Sequence, residues 1–241
     1  MIRASRASTA LDACRAEYVR LDRELHHRGL DEQAIRATRE SLSESHDGRF
    51  VLKAEAYDPT GVALGRPLPE RGQTVLLTRL ACLIEAWLAD RTRSREPTLT
   101  HVPATAYHIT VLNRSHYEFS SITLLTPGEQ RRIEATVSQL GLKAIDVIAC
   151  GIGLTASGRL FVKCLPADDR LFELRARLAE AFPQMRINAP RTAHIKIGHL
   201  RTPLRRDQLL AFGAWLKRLD ERVTRRVVFG DVYTPQGRIR L

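Results

Sequence analysis

The chain has no uninterrupted apolar run of roughly 18 residues, the length that a membrane-spanning helix needs. No apolar segment follows the basic start Met1-Ile2-Arg3-Ala4-Ser5-Arg6, so a secretory leader is not expected. The four cysteines, Cys14, Cys82, Cys150 and Cys164, include no Cys-x-x-Cys pair and sit among apolar neighbours. That argues against a disulfide frame or a zinc site, and for small buried hydrophobes in a reducing, cytoplasmic compartment. Gly-x-Ser-x-Gly, a Walker loop and His-Glu-x-x-His are all missing, which removes three common hydrolase signatures. Gly151-Ile152-Gly153 lacks the longer glycine pattern of a dinucleotide site. Acidic residues are also in deficit: 27 Asp and Glu against 38 Lys and Arg leave a net charge of +11. Such a balance favours anionic partners, nucleotides or nucleic acid, through long-range attraction.

What is present suffices for a packed core. Of 241 residues, 44% are hydrophobic, and the length fits one large domain or two small ones. From about Ser8 to Glu44, Leu11, Cys14, Tyr18, Leu21 and Leu25 recur at helical spacing. Gly29 ends that helix and Asp31 caps the next. Residues 1–48 thus read as an N-terminal helical extension, and 49–241 as the main domain. Phe50 to Tyr57 reads as a strand and Gly61 to Gly72 as a Gly/Pro-rich loop. Val75 to Leu88 reads as a helix, after a short strand at Thr74–Leu77. Thr126-Pro127-Gly128-Glu129 opens a helix that runs to Leu140. Lys143–Thr155 and Arg159–Leu165 form a hairpin around Ala156-Ser157-Gly158, and Asp168–Phe182 a helix. Thr202-Pro203 opens a helix to about Leu219, and Arg226–Tyr233 reads as a strand. Alternating short strands and helices with a clear hairpin indicate an α+β fold.

Two stretches share one pattern. Tyr107-His108-Ile109-Thr110-Val111 and Ala193-His194-Ile195-Lys196-Ile197 each alternate polar and apolar residues. On a strand, alternate side chains share a face. His108 and Thr110 therefore face one way and Ile109 and Val111 the other; His194 and Lys196 likewise oppose Ile195 and Ile197. Imidazole exchanges protons near neutral pH, so two of them across a substrate can act as general base and general acid. Thr110 and Lys196 add donors for phosphoryl oxygens, with a full charge in the case of Lys196. This set suits phosphodiester chemistry.

The pair His-apolar-Thr-apolar and His-apolar-Lys-apolar, 86 residues apart, resembles the 2H phosphoesterase superfamily. The resemblance covers roughly residues 50–241. It implies a bilobal α+β fold with two antiparallel-sheet lobes related by a pseudo-two-fold, with the helical extension outside that core. It implies a phosphodiesterase that needs no metal or other cofactor. The substrate would be a 2′,3′-cyclic or related phosphodiester of an RNA end or small nucleotide. By the same resemblance His108 and His194 are the catalytic pair, with His194 as base and His108 as acid, and Thr110 binds phosphate. Lys196 stands where the family carries Thr or Ser, a bulkier and charged donor that reshapes the pocket.

Other residues are weaker candidates. Tyr233 is placed to stack a base, and Arg201, followed by Arg205 and Arg206, to contact phosphate. A regular strand would turn His199 away from His194. His26 and His27 do not share a helix face. His101 and His116 read as surface-loop residues, and Tyr107 as core. Two rival readings remain: a non-catalytic RNA- or nucleotide-binding protein that keeps the cleft, and a scaffold whose N-terminal helices dock a partner.

Overall fold

The computed structural model describes residues 3–46, 49–53, 62–65, 71–94, 96–112, 125–185, 191–234 and 237–241. Two helices lead, α1 (Arg3–Arg28) and α2 (Glu32–Leu42). Gly29 takes a left-handed φ of 74° after α1, and the Asp31 carboxylate accepts the Ala34 N–H at 2.9 Å to start α2. Strands β1 (Ser43–His46), β2 (Arg49–Leu52) and β3 (Val62–Leu64) follow, then the long helix α3 (Arg71–Thr92). Next come β4 (Leu99–His101), a 3₁₀ turn at Ala104–Ala106 and β5 (Ile109–Leu112). The rest is α4 (Pro127–Leu140), β6 (Ile145–Leu154), β7 (Arg159–Pro166), α5 (Arg170–Ala181), β8 (Ala193–Leu200) and α6 (Arg206–Val223). Strands β9 (Arg225–Phe229), β10 (Asp231–Thr234) and β11 (Gly237–Arg240) close the chain. The architecture is α+β. Among the described residues no helix is long and apolar enough to cross a membrane.

The expected hairpin, the Thr126 cap and the helix at 168–182 are present. Thr126 Oγ1 accepts from Glu129 N–H at 3.2 Å, and the Glu129 carboxylate accepts from Thr126 N–H at 2.8 Å. Such a cap contributes about 1 kcal/mol. Other readings need correction. Thr74–Leu77 lies inside α3, because Leu77, Leu80, Ala81, Ile84 and Leu88 fall on one buried stripe. Val62–Leu64, inside the expected loop, is a fully buried strand between β5 and β10. Thr202 does not cap α6; Arg205 precedes its first turn, with Gln208 Oε1 accepting the Arg205 N–H at 3.0 Å. The strand expected over 226–233 breaks at Gly230 into β9 and β10. The continuation of the Phe50 strand to Tyr57 and His116 lie outside the described residues.

The eleven strands of the described residues hydrogen-bond into one branched, mostly antiparallel sheet. Strand β8 is the branch point. One of its edges pairs with β7, which continues to β6 and β9. The other edge is divided: Gly198–Leu200 pair with β4, and Ile195 pairs with Ile109 of β5. From β5 the sheet runs on through β3 and β10 to β11. One contiguous core includes Ile109, Ile195 and Ile197 from the motif strands. Trp87 of α3 stacks with Trp215 of α6 at 5.1 Å and tilts against Phe212 at 5.2 Å. These rings join two helices over the core, where the fully buried Phe212 contributes about 1.5–3 kcal/mol of apolar burial.

Candidate functional site

The site forms where β5 meets β8. The pair Ile109↔Ile195 fixes the register. Both isoleucines are buried, so both strands turn their intervening polar residues to the opposite face. In an antiparallel pair this register sets Thr110 opposite His194 and His108 opposite Lys196. Directly opposed Cβ atoms lie about 5 Å apart, and diagonal ones about 7 Å. The two histidines occupy one diagonal of this four-cornered patch, and all four side chains are half-buried. Two distant motifs therefore share one face, a juxtaposition that neither motif alone specifies.

Each imidazole has a distinct setting. His108 Nδ1 lies 2.7 Å from the Ala106 carbonyl oxygen and donates to it, which leaves Nε2 turned toward Thr110 Oγ1 at 3.3 Å. The His194 ring packs against Phe161, with centroids 5.2 Å apart at 60°, and Nδ1 lies 3.4 Å from Thr192 Oγ1. Its pKa is held well below the ordinary value, first by burial and then by the charges of Arg159, Arg175, His108 and Lys196. Burial, reinforced by Arg159, pushes Lys196 down to about 7. Among the described residues Lys196 has no carboxylate partner. The patch thus gathers basic groups whose positive charge is suppressed by burial and by one another, and an incoming anion would favour that charge.

Helices on both sides hold the strands. Arg175 of α5 is buried and spans the fork between them, donating to the Thr110 carbonyl of β5 and to the Thr192 carbonyl just before β8, each at 2.7 Å. From α1, the buried Tyr18 hydroxyl bonds the Ala193 carbonyl and accepts the Cys164 N–H at 3.2 Å. Tyr18 also stacks on Phe161 at 6.3 Å and 26°. Phe161 in turn lies across Gly153, where a Cβ would come within 2.3 Å of the ring. The contact series Tyr18–Phe161–His194 thereby ties the N-terminal helix to a motif imidazole. Sequence reasoning missed Arg175 and Phe161: Arg175 reads as the polar face of a helix, and Phe161 as ordinary core.

The remaining candidates divide. The pairings Thr110↔Ala63 and Ala63↔Tyr233 put half-buried Tyr233 on the site's face, two strand spacings or about 10 Å from Thr110, with only a small alanine between. Arg201 is elsewhere: it is buried about 20 Å along the strand from His194, its guanidinium 3.3 Å from the centre of the Phe50 ring. His101 is not a loop residue but a buried strand residue, 2.7 Å from the Glu85 carboxylate. His199 needs the opposite correction. Phe161 pairs with Lys196, yet Arg159 pairs with His199, so β8 carries one extra residue and its alternation flips. His199 consequently shares the face of His194 and Lys196. His26 and His27 are exposed, Tyr107 is core, and all four cysteines are free thiols.

No protein-family model matches the chain, and no curated protein does. It is similar to several solved structures. Usb1 of Kluyveromyces marxianus is 9% identical with a TM-score of 0.43, covering 75% of this chain and 97% of that one. The same protein with uridine monophosphate gives 12%, 0.44, 74% and 95% respectively. A conserved protein of unknown function from Agrobacterium tumefaciens is 16% identical, with a TM-score of 0.47, covering 75% of this chain and 83% of that one. At these identities and scores, none of the three assigns a residue or an activity to this chain.

Proposed function

We propose that the protein is a phosphodiesterase that hydrolyses a 2′,3′-cyclic or related phosphodiester of an RNA end or small nucleotide. The observation that carries this reading is the register Ile109↔Ile195, which supports convergence of His108, Thr110, His194 and Lys196 on one phosphate-sized patch. In the proposed step, neutral His194 takes a proton from water as its oxygen attacks phosphorus. The bond from phosphorus to one ribose oxygen breaks, and His108 Nε2–H protonates that oxygen. A phosphomonoester and a free hydroxyl result. The surroundings of His194 disfavour its cation, so the ring is neutral and has a free nitrogen lone pair before substrate binds; the negative charge of a bound phosphate would raise its basicity toward the working pH. The Ala106 carbonyl fixes His108 Nδ1–H and leaves Nε2 to deliver a proton. Thr110 and Lys196 stabilise charge growing on the non-bridging oxygens. Tyr233 offers a stacking platform for the base. Residues 49–241 would form the two-lobed unit of the 2H type, and the helices of residues 1–48 an addition that walls its cleft.

The test is hydrolysis of nucleoside 2′,3′-cyclic phosphates by the full chain. His108→Ala and His194→Ala should each lower the rate by about 10² to 10⁴ while leaving the fold intact. Wild-type turnover by the double variant would refute the assignment. Lys196, a charged residue beside the motif, favours one second reading, a binding protein without turnover. Salt-sensitive binding with no product would establish that reading instead.

A further inference from the structure

Two residues on this face, Arg159 and His199, have no part in the proposed reaction. Along β7, Arg159, Phe161 and Lys163 alternate onto the site's face, and their partners on β8 are His199, Lys196 and His194. The slip between Leu160 and Phe161 turns His199 inward beside Lys196, with Thr100 of β4 as its neighbour across the other edge. His199 is 3% exposed, and its Nδ1 has no hydrogen-bond partner among the described residues. The charges of Lys196 and Arg159 both act on it. Two half-buried basic side chains, Lys196 and Arg159, thus flank one buried imidazole whose Nδ1 has no partner among the described residues. A ring nitrogen this deeply buried without a hydrogen-bond partner is costly unless a ligand supplies one. The Arg159–His199 pair lies one alternation, about 7 Å, beyond Lys196. This distance is too long for the phosphate held between His108 and His194 to serve both places.

We infer that Lys196, His199 and Arg159 form a second phosphate subsite, so that the favoured ligand is a nucleotide or RNA end carrying a further phosphate beside the reacting one. This inference rests on the phosphodiester reading for the first phosphate. It names the substrate class: a phosphorylated or polymeric nucleotide rather than a bare cyclic mononucleotide. Lys196 lies between the two positions and serves both, which accounts for a long cation where a short hydroxyl would reach only one.

The experiment is equilibrium binding to the full chain of adenosine 3′,5′-bisphosphate and of adenosine 3′-monophosphate, by calorimetry at fixed salt. The wild type should bind the bisphosphate about tenfold more tightly, the effect of one or more charge-assisted hydrogen bonds. His199→Gln should bring that ratio to below about threefold. Arg159→Gln, at a half-buried position where folding is less at risk, should do the same. Equal wild-type affinities, or an unchanged ratio in both variants, would overturn the subsite. Hydrolysis of a cyclic phosphate is measured in parallel. Turnover without any bisphosphate preference rejects the subsite and leaves the enzyme; a clear preference without turnover rejects the enzyme and leaves the subsite.

Discussion

Arg175→Met removes the buried guanidinium that bridges the two motif strands. Two donations of 2.7 Å are lost, one to Thr110 O and one to Thr192 O. A hydrogen bond involving a charged group contributes about 1.5–3 kcal/mol, so the gross loss is about 3–6 kcal/mol. Part of this is offset, because burial of the guanidinium is itself unfavourable and pushes its pKa down to about 10. A net destabilisation of about 3 kcal/mol follows, which lowers Tm by about 6–12 °C in a chain of this size. Thermal unfolding followed by circular dichroism reads this directly. Hydrolysis, assayed well below the variant's Tm, should fall at least tenfold, because Ile109↔Ile195 is the one described backbone pairing between β5 and β8. Arg175→Lys should recover only part, since one ammonium lacks the planar fork that reaches both carbonyls. A Met variant that melts within about 1 °C of wild type and turns over at the wild-type rate would refute the bridging role.

Three further outcomes are expected. Tyr18→Phe leaves the Cys164 N–H and the Ala193 carbonyl without the hydroxyl and should cost about 1–2 kcal/mol in denaturant unfolding. Gly153→Ala forces the Phe161 ring away and should cost about 1–3 kcal/mol, with a lower kcat because His194 leans on that ring. The third concerns pH. Lys196 has a depressed pKa of about 7, so between that value and its ordinary 10.5 the unfolded chain binds more protons than the folded one. Ligand-free stability should therefore gain a contribution as pH rises through this window, and Lys196→Met should remove it. Stabilisation by added phosphate, read as a Tm shift, should be larger at pH 6 than at pH 8.5, where Lys196 is neutral.

The alternation around His108 and His194 was legible because it needs only the period of a strand. Their meeting was not, because the register Ile109↔Ile195 is set by the packing of isoleucines 86 residues apart. His199 was misjudged for a definite reason. Strand parity predicts its face only while the ladder is regular, and the extra residue between Lys196 and His199 reverses it. Val62–Leu64 was hidden because three buried apolar residues flanked by glycines carry no periodic signal. The α1 stripe containing Cys14 and Tyr18 was visible as amphipathicity. That it faces the motif strands, through Tyr18 and Phe161, depends on tertiary contacts that no local pattern encodes.

Gly230 has a consequence for how far the limbs of the sheet can move. Phe229 ends β9, which borders β6, whereas Asp231 begins β10, which borders β3, so a single residue joins the two limbs that spread from β8. Two residues of chain span at most about 7 Å. The limbs are therefore laced together at their far side and cannot swing apart about β8 as free jaws. The spacing of the limbs is set when the protein folds, so that little ordering of the sheet would remain to oppose binding of a ligand.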